Sequence, residues 1–362
     1  MSHGDTLYKA NKNLQVGSMT ATLPQPVVSP RCFLISPNSV PKPRFDPNDP
    51  PSICSQTPWL CQYYDFSKSA LPPQVGTDYF NCGFVARPDG DWLLVRRSRA
   101  VHHCPFGLND IVVFKLINGT VPTDAKPLLI RAFYSDEHFE DPRGFYHNGK
   151  TYVSCTNFIW APRGSGAHQI ICEFDDNWNL VKRYDPIYGG NGAHCYNNKR
   201  QEKNWLWFCA GGEPHLIYSA EPHDVAQFTW DFKAVVRYET KPQLRWQWGQ
   251  IRGGTPPVRV GDEYWTFYHS SVEGAPGNVR RYFVGAYAFE ARPPFKITRY
   301  TKDPLLSGSR QDVWAPGKPY VTFVCGAHLR HGEWLLTLGV NDIASAYFCP
   351  NHADLEKLMT PL

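Results

Sequence analysis

One pattern recurs along this chain of 362 residues: a tight turn containing glycine, followed at once by a strand rich in aromatic side chains. Asp89-Gly90-Asp91 runs into Trp92-Leu93-Leu94-Val95-Arg96, and Asn148-Gly149-Lys150 into Thr151-Tyr152-Val153-Ser154-Cys155. Gly261-Asp262-Glu263 runs into Tyr264-Trp265-Thr266-Phe267-Tyr268, and His331-Gly332-Glu333 into Trp334-Leu335-Leu336-Thr337-Leu338. A fifth, looser copy joins Asn204-Trp205-Leu206-Trp207-Phe208 to His215-Leu216-Ile217-Tyr218-Ser219 through Gly211-Gly212. Each copy has the turn and strand chemistry of a β-hairpin. A spacing of roughly 50–70 residues is that of a repeat made of one small sheet, which cannot bury its apolar face alone. The pattern predicts an all-β chain, a five-bladed β-propeller whose blades bury one another around an axis. Long, weakly similar repeats argue against the alternative, a β-sandwich. The 14% of aromatic residues, with 32 Pro and 28 Gly, also favour short strands and turns over helices. Only His352 to Met359, with Leu355 and Leu358 three apart, has helical spacing.

The first part of the chain reads differently. Pro24, Pro26, Pro30, Pro37, Pro41, Pro43, Pro47, Pro50 and Pro51 punctuate a stretch without periodicity. We expect residues 1–65 to form a Pro-rich extended arm and 66–362 the propeller. Before Ser29 a disordered tail fits equally well.

Several functions are disfavoured by simple chemistry. The net charge of +4 is mild and spread out, so no nucleic-acid partner is expected. No apolar run approaches the ~20 residues that span a bilayer, and Met1 to Asn11 carry no apolar signal core. The 11 cysteines are odd in number and contain no C-x-x-C pair, which argues against a disulfide framework or a clustered zinc site. Reduced thiols and a cytoplasmic location are the expectation. No metal is expected.

The sharpest local string is Phe139-Glu140-Asp141-Pro142-Arg143. Two adjacent carboxylates sit beside a stiff proline and a planar donor, which suits a fixed polar site and suits a solvated turn about equally. Here the chain resembles glycoside hydrolase family 130, the inverting β-mannoside phosphorylases and β-1,2-mannosidases. Further strings share the resemblance in family order: Tyr79-Phe80-Asn81 with Leu93-Leu94-Val95-Arg96, Glu202-Lys203-Asn204-Trp205, Arg252-Gly253-Gly254-Thr255-Pro256-Pro257 with Tyr268-His269, Val284-Gly285-Ala286-Tyr287, Phe323-Val324-Cys325-Gly326 and Gly339-Val340-Asn341-Asp342. The likeness runs from about Asp78 to Leu358. Cys82 after Asn81 and Ser270 after His269 depart from the family strings and look closer to the protozoan β-1,2-mannosyltransferase/phosphorylases of glycosyltransferase family 108.

The resemblance implies a five-bladed propeller and makes Asp141 the general acid, acting through a hydroxyl of the transferred mannose. It implies sugar contacts from Asn81, Arg96, Glu140, Arg143, Asn204, Tyr268 and Asp342. Phosphate would be held by Lys203, Arg252 and His269, with Arg163. An inverting hydrolase needs a second carboxylate to activate water, whereas a phosphorylase needs cations around phosphate. The basic set favours phosphorolysis, although Glu213 and Glu221 keep a hydrolytic base open. The expected reaction is reversible transfer of mannose between α-mannose 1-phosphate and mannose or β-1,2-oligomannosides, with inorganic phosphate as co-substrate and no cofactor. A homo-oligomer is compatible with the sequence. Alternatives are a GDP-mannose-dependent transferase using the D-x-D of Asp89-Gly90-Asp91, an inverting β-mannosidase, and a non-catalytic aromatic lectin. In a hairpin, Asp-Gly is expected for backbone reasons alone.

Overall fold

A computed structural model describes residues 62–64, 77–101, 104–117, 128–130, 137–161, 164–186, 188, 202–275, 279–308, 320–342 and 344–362. They form antiparallel strands with one short helix, His352–Leu358. The expected Pro-rich arm lies outside the described residues, except for Gln62–Tyr64.

The strands make five sheets. The first sheet runs in chain order through Thr77–Arg87, Gly90–Val101, Cys104–Lys115 and Leu128–Ile130. The second does the same through Glu137–His147, Lys150–Ala161, Gly164–Phe174 and Leu180–Tyr184. The third uses Leu206–Ala210, Glu213–Ala220, His223–Phe228 and Ala234–Thr240. In the fourth, Arg252–Gly253 and Val258–Val260 both pair with Glu263–Ala275, followed by Val279–Glu290, Ile297–Thr301 and the C-terminal Met359–Pro361. The fifth holds Thr322–Arg330, Glu333–Val340 and Ala344–Phe348, and its outer strand is Gln62–Tyr64, paired with Ser345 to Tyr347. Each of the five turns in the repeated pattern joins the first two strands of one sheet.

Strand side chains alternate between faces, and here both faces are covered, so the strands are apolar throughout rather than every second residue. Leu93 and Val95 face Tyr347 of the fifth sheet, while Leu94 faces Phe139 and Val153 of the second. Trp207 joins Tyr152 and Ile171 of the second sheet, while Leu206 and Phe208 join Tyr264 and Phe289 of the fourth. Trp265 and Phe267 pack with Trp334 and Leu336 of the fifth. Thus each pair of neighbouring sheets shares one apolar core, and the fifth sheet returns to the first. Trp207, Trp265 and Trp334 are fully buried; at about 25 cal/mol per Å² over about 200 Å², each contributes on the order of 5 kcal/mol.

First strands of neighbouring sheets approach closely. A Cβ on Gly83 would lie 2.1 Å from the carbonyl oxygen of Pro142, so only glycine permits the contact between the first and second sheets. Toward the hairpin turns lies a cavity of about 380 Å³ lined from all five sheets, by Phe84, Phe145, Trp207, Pro257 and His328 among others. Polar residues gather toward the opposite end of the same strands.

Candidate active site

The first strands of the first and second sheets each carry a β-bulge, between Phe80 and Gly83 and between Glu140 and Arg143. Within these bulges Asn81 (φ 52°) and Asp141 (φ 53°) adopt the left-handed conformation, as does Asn204 (φ 64°) ahead of the third sheet. Asn and Asp tolerate this region better than other side chains, at roughly 1 kcal/mol each. The effect is to re-aim both side chains, so that Asn81 Nδ2 donates to Asp141 Oδ1 at 2.7 Å with both residues buried.

Three cations surround this pair. Arg96 faces the second sheet, as does Leu94 two residues earlier, and all three of its nitrogens are engaged. Nη2 donates to Glu140 Oε1 at 2.8 Å, Nε to Asn109 Oδ1 at 3.2 Å, and Nη1 lies 3.8 Å from Asp141 Oδ1. Its guanidinium rests over the Phe80 ring, 4.6 Å from the centroid. Lys203 Nζ donates to Glu140 Oε2 at 3.2 Å and lies over the ring of Phe158. Arg143 is 1% exposed. It donates to the carbonyls of Gly254 (2.6 Å), Asp141 (3.0 Å) and Gly253 (3.4 Å) and to Asn204 Oδ1 (3.3 Å). Burial pushes the Asp141 carboxyl up, but Arg96, Arg143, Lys203 and the Asn81 amide together outweigh it and hold it below its ordinary value.

The fourth and fifth sheets complete the cluster. Arg252, exposed, pairs in register with His269 across the strand. His269 is buried between the rings of Phe323 (4.4 Å) and Tyr282 (5.9 Å). Burial, then the charges of Arg143 and Arg252, push its pKa down to about 3, so it is a neutral imidazole at physiological pH. Asp342 (φ 55°) is half-buried, and its charge acts on Tyr282.

The residues expected from sequence thus meet unequally. Asn81, Arg96, Glu140, Asp141, Arg143, Lys203, Asn204, Arg252 and His269 come together, and Asp342 acts on the Tyr282 that stacks on His269. Tyr268 does not join them. It is one residue from His269, so alternation turns it to the other face, where it is fully buried between Trp246 and Tyr287 in the core shared with the third sheet. Arg143 differs from expectation in another way, because its guanidinium is spent on the protein rather than presented to a sugar. Arg163 lies outside the described residues. Sequence reasoning assigned Phe80 and Phe323 no role beyond their strings and did not single out Asn109, Phe158 or Tyr282; for Asn109, the signal is its place two residues from the cross-strand partner of Arg96.

Features weighed for rival chemistries are engaged elsewhere. Asp89 pairs with Arg87 (3.0 Å) and Lys115 (3.4 Å), and Asp91 with Arg330 (2.7 Å), all at the hairpin-turn end. Glu213 begins a strand beside the Gly211-Gly212 turn. Glu221 accepts from the backbone N–H of Leu244.

No family model and no curated protein matches the chain. Solved structures do. The β-1,2-mannobiose phosphorylase of Listeria innocua, solved with β-1,2-mannobiose, shares 16% identity over 82% of this chain and 98% of its own, with a TM-score of 0.59. A glycosyl hydrolase from Bacteroides ovatus shares 13% identity over 76% and 84%, with a TM-score of 0.58. A mannose phosphorylase of Leishmania mexicana, solved with a phosphate ion, shares 12% identity over 79% and 87%, with a TM-score of 0.51. The chain has a fold like that of the family 130 mannoside phosphorylases.

Proposed function

We propose that the chain is an inverting β-1,2-mannoside phosphorylase/mannosyltransferase built as a five-bladed β-propeller over 66–362. It transfers mannose reversibly between α-mannose 1-phosphate and mannose or β-1,2-oligomannosides, in the cytoplasm. The observation that carries this reading is a buried carboxylate, Asp141, fixed by an amide and ringed by Arg96, Arg143 and Lys203, with Arg252 open beside them. Cations converging on one point suit a phosphate nucleophile, whose charge they neutralise in line with the anomeric carbon.

In this reading Asp141 is the general acid that supplies the leaving oxygen's proton, and Asn81 fixes its carboxylate. Glu140 and Asp342 contact the sugar. Lys203 and Arg252 hold the phosphate, while neutral His269 offers a hydrogen-bonding nitrogen rather than a charge. Arg143 and Asn204 brace the bulge that aims Asp141. Glu213 at the hairpin-turn end and Glu221, which accepts from the Leu244 backbone, weigh against hydrolysis, and the ion pairs of Asp89 and Asp91 weigh against a metal-bound nucleotide sugar.

Incubation with α-mannose 1-phosphate and mannose, with chelator and without nucleotide, tests the proposal. Phosphate release matched by growing oligomannosides is expected. No release refutes it, and turnover of GDP-mannose or of β-mannosides in parallel reactions identifies the rival that replaces it.

A further inference from the structure

Glu140 stands in an unusual position for a sugar contact. Each of its oxygens is taken by a different cation, Oε1 by Arg96 and Oε2 by Lys203. Among the cations near Asp141, Arg143 cannot leave, since its donors are held by backbone carbonyls and Asn204. Arg96 is braced by Asn109 and Phe80. Lys203 is the cation with freedom to move: its side chain is 30% exposed, and besides Glu140 it has an aromatic face beneath it. A phosphate entering the site therefore meets Lys203 already committed to a carboxylate.

We propose that Glu140 is a resident anion that phosphate displaces from Lys203, and that Asp141 takes up a proton as phosphate binds. This rests on the phosphorylase reading above. Drawing Lys203 away from Asp141 and bringing an anion into the site both favour the protonated Asp141 carboxyl. The remaining groups acting on Asp141 do not offer the proton an alternative home. His269 and Tyr282 of the fourth sheet stay neutral, as do the buried thiols Cys155 and Cys325. The coupling answers a chemical requirement, because the unliganded site holds Asp141 ionised and a general acid must carry its proton when the glycosidic oxygen leaves. Arrival of the nucleophile arms the acid.

Calorimetric titration of inorganic phosphate into the full chain at pH 7.5, repeated in buffers of different ionisation enthalpy, reads protons exchanged per phosphate bound. Bound phosphate can itself carry a proton that depends on the charges around it, so sulfate, a dianion throughout this pH range, is titrated in parallel, and a difference between proteins seen with both anions reports Asp141. Wild type is expected to take up more protons than Asp141→Asn, by up to about one. Glu140→Gln is expected to bind phosphate on the order of 10-fold more tightly, since the competing anion is gone. Equal proton exchange in wild type and Asp141→Asn, or unchanged or weaker binding by Glu140→Gln with wild-type melting, overturns the inference alone. Failure of phosphate to bind wild type overturns the phosphorylase reading itself.

Discussion

Replacing Gly339 by alanine should reach the acid without altering a charged residue. Gly339 lies in the second strand of the fifth sheet, and a Cβ there would stand 1.8 Å from Asn81 Oδ1 and 2.8 Å from its backbone nitrogen. A contact of about 3.0 Å requires Asn81 Oδ1 to move by roughly 1.2 Å (3.0 − 1.8). A shift of that size disrupts the 2.7 Å bond from Asn81 to Asp141. A hydrogen bond to a charged group is worth about 1.5–3 kcal/mol, and overpacking costs about 1–3 kcal/mol more. At about 1.4 kcal/mol per tenfold, loss of the bond predicts a fall of roughly 10–100-fold in kcat/KM for phosphorolysis. Because the bond helps hold the folded Asp141 below its ordinary value, its stabilisation is present above roughly pH 4 and is lost as pH falls through the folded value. The stability gap between wild type and Gly339→Ala should accordingly narrow in acid. Denaturant unfolding at pH 7 and pH 3.5, with a pH–rate profile, measures all three effects. Wild-type stability and an unchanged profile in Gly339→Ala would refute the reasoning.

Other residues make separate predictions. His223 is buried and donates from Nδ1 to the Phe295 carbonyl, and burial pushes its pKa down to about 4. The unfolded chain then binds the proton first, so its contribution to stability is full above about pH 6.5 and shrinks as pH falls toward 4. The loss is about 2 kcal/mol by pH 5, and denaturation of His223→Gln should show a correspondingly smaller drop between pH 7 and pH 5. Arg143→Lys loses the planar donor that spans the Gly253, Gly254 and Asp141 carbonyls, and should destabilise by about 3 kcal/mol or more in a denaturant titration. A change under 1 kcal/mol would contradict the bracing role. Burial pushes the Cys82 and Cys172 thiols up to about 12. In native protein at pH 8 both should resist alkylation read by mass spectrometry, and both should label once the chain is unfolded; native labelling at the rate of an exposed thiol would contradict their burial.

The hairpins were legible because glycine turns and aromatic strands are local chemistry. The string from Trp334 to Leu338 says strand whatever surrounds it, and the turn before it sets where the strand begins. Pairing at long range was not legible: nothing within Gln62-Tyr63-Tyr64 names Ser345 to Tyr347 as its partner. The candidate site was readable as a cluster, since Asp141, Asn81, Arg96 and Lys203 came from strings in family order and the fold brings them together. Their directions depended on alternation and on bulges. Tyr268 and His269 are neighbours in sequence and face opposite cores, and Arg143 looks like a ligand donor until the carbonyls of Gly253 and Gly254 are found in its plane. Asn109 carries no local mark, because its value comes from lying across the strand pair from Arg96.

The pairing of Gln62–Tyr64 with the last sheet has a consequence for how the molecule is made. The nascent chain releases one half of this clasp about 280 residues before the other. At about 5–20 residues per second, that is a wait of roughly 15–60 seconds. For that interval the first sheet also lacks the neighbour that covers Tyr79, Phe84 and Leu93. An apolar flank therefore stays open until late in synthesis, with three sheets complete and the fourth still without Met359–Pro361. Damage near Ala344–Phe348 would be felt first as failed closure of the nascent molecule, before any effect on its chemistry.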